Sequence, residues 1–123
     1  MASYLIVVRP HQRVRDEGLV AHARTAFGID LQSVHHERHY AVIGDLDQAA
    51  VERVAQLLAD PVLSQAETFA LDQIPPGDDG DWVIDIAYRP GVTDNEGESV
   101  RLGAARTGIA GVEQVRTVQR VYV

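Results

Sequence analysis

The sequence predicts an α+β fold in which tandem β-α-β units form an antiparallel sheet with helices on one face. Three observations predict it. First, one segment occurs almost twice: residues 5–20 read LIVVRPHQRVRDEGLV and residues 84–100 read IDIAYRPGVTDNEGESV. Each starts as an apolar strand and reaches Arg-Pro (Arg9-Pro10, Arg89-Pro90). Each then crosses a polar turn to Glu-Gly (Glu17-Gly18, Glu96-Gly97), enters a helix, and passes Gly-Ile (Gly28-Ile29, Gly108-Ile109) into a second strand. Repeated units of this size share a core, because neither buries its apolar face alone. Second, strand-like alternation and helix-like spacing take turns along the chain. Third, IPPGDDG at 74–80 offers nothing to bury and stiffens a crossing. The expected organisation is a first unit at 1–73, a linker at 74–80 and a second, incomplete unit at 81–123.

The elements follow in order. Strand one is expected at 3–9, with Tyr4, Ile6 and Val8 on one face and Leu5 and Val7 on the other. Helix one covers about 16–27: Leu19, Val20, Ala23, Ala26 and Phe27 keep helical spacing, and Gly28 is a natural stop. Strand two runs about 33–43. Helix two runs about 46–59, with Asp45 and Gln48 resembling a capping box and Asp45 as N-cap. Its stripe is Ala50, Val51, Val54, Leu57 and Leu58, and Asp60-Pro61 ends it because proline cannot continue the helical ladder. Residues 67–73 alternate as a short strand. After the linker, Trp82, Ile84, Ile86 and Tyr88 point one way and Asp85 the other, as in a strand. A turn at 90–95 leads to helix three, about 96–107, and a last strand at about 113–122. Trp82, Tyr88 and Phe27 are expected in the core.

Composition narrows the chemistry. At 123 residues the chain supports one compact domain or two fused half-domains. No apolar run approaches the roughly 18–20 residues needed to span a bilayer, and no basic flank precedes an apolar core at the N-terminus. Neither a membrane nor a secretory role is expected. Cysteine is absent, which excludes disulfides and cysteine nucleophiles and is consistent with a reducing cytoplasm. The net charge of −7 argues against nucleic-acid binding, which needs a positive face. All 11 basic residues are arginine. Without lysine there is no phosphate-loop lysine and no Schiff base.

Four constellations are candidate sites. His35, His36 and His39 lie close together, but on a strand His36 faces away from the other two, and a metal needs three or four converging ligands. The plainer reading is a polar strand face. Asp78, Asp79 and Asp81 lack calcium-loop spacing and read as solvated linker. Asp94, Asn95, Glu96 and Glu98 could serve catalysis; capping and complementing a helix start is the simpler role. Arg9 and Arg89 precede helix starts, where arginine and free amides could hold a phosphate or carboxylate; an ion pair with a nearby acid is the alternative. Gly91 and Gly97 suit tight backbone turns. No catalytic residue and no metal site is assigned.

At residues 88–100 the pattern becomes specific. YRPGVTDNEGESV resembles the strand-turn-helix signature of the small subunit of phosphoribosylformylglycinamidine synthase. GIAGVEQVRTVQRVYV (108–123) resembles that family's second strand, and LLADPVLSQAETF (57–69) the end of its second helix and its final strand. The resemblance spans residues 3–73 as one complete small subunit and 81–123 as the first part of another. Two tandem copies resemble the N-terminal domain of the fused enzyme, a pseudo-dimer of small-subunit-like repeats. The first copy departs from the pattern: its turn, HQRVRDEG, lacks the Gly-Val and Asp-Asn of the second.

The resemblance implies a part in de novo purine biosynthesis, in the ligase that makes formylglycinamidine ribonucleotide from formylglycinamide ribonucleotide. ATP and Mg²⁺ serve the whole enzyme and glutamine supplies ammonia; no cofactor is implied for this segment. The implied role is non-catalytic: to bridge the synthetase and glutaminase domains or subunits, its partners in the cytoplasm. The implied interface is the matched turn, Arg89, Pro90, Gly91, Asp94, Asn95 and Gly97. Open strand edges favour self-association. A second unit copying the first would continue past Val123 with a helix and a strand, so apolar surface near Val118, Val121 and Val123 is expected to be covered by another copy or by the rest of the enzyme. A rival reading is a small-molecule-binding regulatory domain with paired β-α-β units.

Overall fold

A computed structural model describes residues 2–73 and 82–123; the expected linker at 74–80, with Asp78, Asp79 and Asp81, lies outside the described residues. The elements are β1 (Ala2–Pro10), α1 (Glu17–Phe27), β2 (His35–Leu46), α2 (Gln48–Leu58), β3 (Ser64–Ala70), β4 (Val83–Ala87), α3 (Asn95–Arg106) and β5 (Val112–Tyr122). All eight expected elements are present in the expected order. The five strands form one sheet in the order β3-β1-β2-β5-β4, antiparallel throughout. The longest pairing joins β2 to β5, from His35 opposite Tyr122 to Gly44 opposite Val112, with a bulge at Ile43/Gly44.

Alternation along the strands gives the sheet two distinct faces. On one, Ile6, Tyr40, Val42 and Val115 meet Val51 and Val54 of α2 and Ala104 of α3, with Leu46 and Ile109 closing the cluster. Each fully buried aliphatic side chain here is worth about 1.5–3 kcal/mol. The other face carries Leu5, Val7, Glu37, His39, Arg120 and Tyr122, all buried.

Two of the three helices share the first face: α2 packs on β1, β2 and β3, and α3 on β5 and α2. The third departs from expectation. α1 makes almost no close contact with the other elements, and of its expected stripe only Ala23 is buried. It is held locally instead, by Asp16 N–H donating to Val34 C=O at 2.7 Å and by the left-handed Gly28 stop.

Other expectations also need correction. β2 runs on through Leu46, so Asp45 lies in the strand and donates its N–H to Gly111 C=O; the N-cap of α2 is Asp47, whose carboxylate accepts from Ala50 N–H at 2.7 Å. Trp82, Tyr88 and Phe27 are not core: they are 79%, 47% and 71% exposed. Among the described residues β4 is an edge strand with no helix above it, and Phe27 closes the undocked α1. The apolar surface expected at Val118, Val121 and Val123 is also placed differently. β5 is interior to the sheet, Val121 is buried, and the exposed apolar side chains next to it are those of the neighbouring strand β4. No helix among the described residues is long and apolar enough to cross a membrane.

Candidate functional site

The turn between β4 and α3 shows how the RPGV sequence sets its own geometry. Val92 N–H donates to Arg89 C=O at 3.0 Å, closing a four-residue turn with Pro90 second and Gly91 third. Gly91 has φ 85°, which the third position of a type II turn demands and glycine supplies without strain. Arg89 and Pro90 are exposed.

Asp94 then caps α3. One carboxylate oxygen accepts from Gly97 N–H at 2.8 Å; the other accepts from Thr117 N–H at 2.6 Å and Thr117 Oγ1 at 2.8 Å. Burial pushes the carboxyl up in pKa, but these donors outweigh it and hold Asp94 below its ordinary value. Gly97 is buried against β5 so closely that a Cβ there would sit 2.1 Å from Val115 C=O. Asn95 is exposed, and its C=O accepts from Ser99 Oγ. Asp94 and Gly97 therefore dock the helix. Of the six expected site residues, Arg89, Pro90, Gly91 and Asn95 remain accessible to a partner.

The neighbouring acids are likewise engaged. Glu96 accepts from Tyr40 Oη at 2.9 Å and from Arg38 Nη1 at 2.5 Å; burial and Glu96 push the Tyr40 phenol up to about 12. Glu98 pairs with Arg101 one turn on. The cluster at 94–98 is a set of caps and ion pairs.

A second group lies on the sheet's other face. Glu37, 8% exposed, accepts from His39 Nε2 at 2.7 Å and from Tyr122 Oη at 2.8 Å, and faces Arg9 Nε at 3.5 Å. Burial raises its pKa, but His39, Tyr122 and Arg9 more than offset this and keep it ionised below its ordinary value. Tyr122 is pushed up by burial and by Glu37, and its ring stacks on His35 with centroids 4.6 Å apart. Beside it, Arg120 grips Asp85 through Nε at 2.8 Å and Nη2 at 3.0 Å, which raises the guanidinium's already high pKa.

The three histidines do not converge. His35 and His39 lie on this face, whereas His36 lies on the helix face and contacts Asp16 at 2.7 Å. Among the described residues no group of three or more such side chains is placed to hold a metal. Arg9 is taken by Glu37 and by Glu67 at 2.8 Å. The first-turn amide of Leu19 in α1 is taken by Asp16. Above Glu37 and Tyr122 opens a cavity of about 320 Å³, edged by Arg9, His11 and Arg13. Sequence reasoning singled out His35, His39 and Arg9 but missed Glu37 as their centre and Tyr122 as its second donor. Nothing local ties Tyr122 to Glu37, 85 residues away. No family model, curated protein or solved structure matches this chain.

Proposed function

We propose that the chain is a non-catalytic assembly module that bridges the synthetase and glutaminase parts of a phosphoribosylformylglycinamidine synthase, as a tandem small-subunit-like domain. The observation that carries an assembly role is the apolar face of β4. Trp82, Ile84, Ile86 and Tyr88 are 79%, 50%, 53% and 47% exposed and lie along one side of an edge strand. A contiguous exposed apolar stripe marks an interaction surface, and an edge strand offers unpaired backbone groups beside it. The identity of the partners rests on the likeness of YRPGVTDNEGESV to the family signature. In this reading the exposed Arg89 and Asn95 flank the docking surface, and ATP, Mg²⁺ and glutamine are handled by the partners.

The engagement of Asp94, Glu96 and Glu98 in caps and pairs supports a structural part for this turn. The test combines the chain with synthetase and glutaminase subunits and measures co-elution and amidine formation. Ile84→Asp with Ile86→Asp should abolish co-elution and lower glutamine-dependent turnover at least tenfold while sparing turnover fed by free ammonia. Arg89→Ala should weaken both co-elution and glutamine-dependent turnover to a smaller degree. Unchanged assembly and turnover in the double variant would refute the proposal.

A further inference from the structure

The sheet is matched about its centre and unequal at its edges. β2 and β5 pair in the middle, with β1 outside β2 and β4 outside β5. β1 then receives β3 along its outer edge and α2 across its face. Among the described residues β4 receives neither, although Ile86 stands three places before Arg89-Pro90 as Ile6 stands before Arg9-Pro10. The backbone at this edge is aimed to take a strand. Trp82 and Val123 exchange both of their backbone hydrogen bonds, at 3.1 and 2.9 Å. Antiparallel pairing alternates from there, so Val83, Asp85 and Ala87 turn their N–H and C=O groups away from β5 and towards the free edge. One charge is also unmatched. Arg9, at the end of β1, donates to Glu67 of β3 at 2.8 Å, and Glu67 stands opposite Val7. Arg89 holds the same place after β4; it is exposed and has no ion-pair partner among the described residues.

The geometry points to strand addition at β4: a partner protein lays an extended segment antiparallel along the edge, with a carboxylate opposite Ala87 to meet Arg89 and an amphipathic helix over Ile84 and Ile86. The occupant has the chemistry that α2 and β3 supply to β1. In such addition the main-chain hydrogen bonds give affinity and the alternate side chains give specificity. The inference rests on the reading of β4 as the docking surface and names what docks there.

The probe is a synthetic peptide of residues 47–72, the α2–β3 segment that plays this part at β1, titrated into the whole ¹⁵N-labelled chain. Saturable amide shifts should centre on β4. The outward amides of Val83, Asp85 and Ala87 should become protected from deuterium exchange, which docking through side chains alone does not cause. An exposed ion pair carries little, so a peptide with Glu67→Gln should bind about two- to fivefold more weakly. Arg89→Glu, at an exposed turn, should weaken the native peptide by about tenfold, because like charges then face each other, and a peptide with Glu67→Arg should restore binding. No saturable shift at millimolar peptide would overturn the inference, as would unchanged exchange at the three amides or equal binding by Arg89→Glu. Shifts confined to β1 would show exchange with the chain's own β3 and overturn it too. Self-association of the unmixed chain that protects the same amides would assign the edge to a second copy, with the same result. If these signals fail while Ile84→Asp with Ile86→Asp still abolishes co-elution with the synthetase and glutaminase subunits, strand addition falls and the assembly role stands.

Discussion

β1 and β4 present the same kind of face and meet opposite fates. Tyr4, Ile6 and Val8 line one side of β1, as Ile84, Ile86 and Tyr88 line one side of β4. Yet Ile6 is fully buried and Ile86 is 53% exposed. β1 lies between β2 and β3 with α2 across it; among the described residues β4 pairs with β5 alone and no helix crosses it. Alternation thus fixes which residues of a strand act together. Whether they become core depends on what the rest of the chain brings over them.

Substitutions can break this contrast. Ile6→Ala should cost about 2–5 kcal/mol in urea unfolding, because it opens a cavity beneath α2. Ile86→Ala should cost under about 1 kcal/mol, because little area is lost from a half-exposed site. Equal costs would show that β4 is covered in solution. The next largest effect belongs to Gly97→Ala, expected at about 1–3 kcal/mol, since the new methyl group must displace the β5 backbone. The matching change Gly18→Ala in α1, where only the Asp16 carboxylate approaches, should stabilise by up to about 1 kcal/mol. Asp94→Ala should cost about 1–2 kcal/mol, losing a cap and leaving Thr117 without its acceptor.

The smallest effect concerns acid. Asp94 and Glu37 are held below their ordinary values of 3.8 and 4.5 in the folded chain. Each therefore contributes stability that is complete above that ordinary value and is lost as pH falls through the lower folded one. Urea midpoints should be flat from neutral pH down to about 5 and fall below it. The fall should be shallower in Asp94→Asn.

The α+β class, the antiparallel sheet and the eight elements were legible because hydrophobic spacing, glycine stops and Asp-Pro act locally. The cap of α2 was misplaced by two residues: β2 continues to Leu46 through pairing with Ala2, which is not visible within residues 45–48. The exposure of Trp82 and Tyr88 was hidden for a related reason, since an apolar strand face reads alike in the middle of a sheet and at its edge. In the candidate site, the RPGV turn and the Asp94 cap could be read from adjacent residues. The Glu37–Tyr122 contact could not, because it arises only when β2 and β5 come into register.

α1, held mainly at its two ends, has one more consequence. A helix that buries only Ala23 has little to lose by opening, so it should unfold and reform many times while the sheet stays intact. Its amides should exchange with deuterium well before those of α2 and α3. Trypsin, which in this lysine-free chain cuts only after arginine, should nick at Arg13, Arg15 or Arg24 and leave β2 and β5 paired.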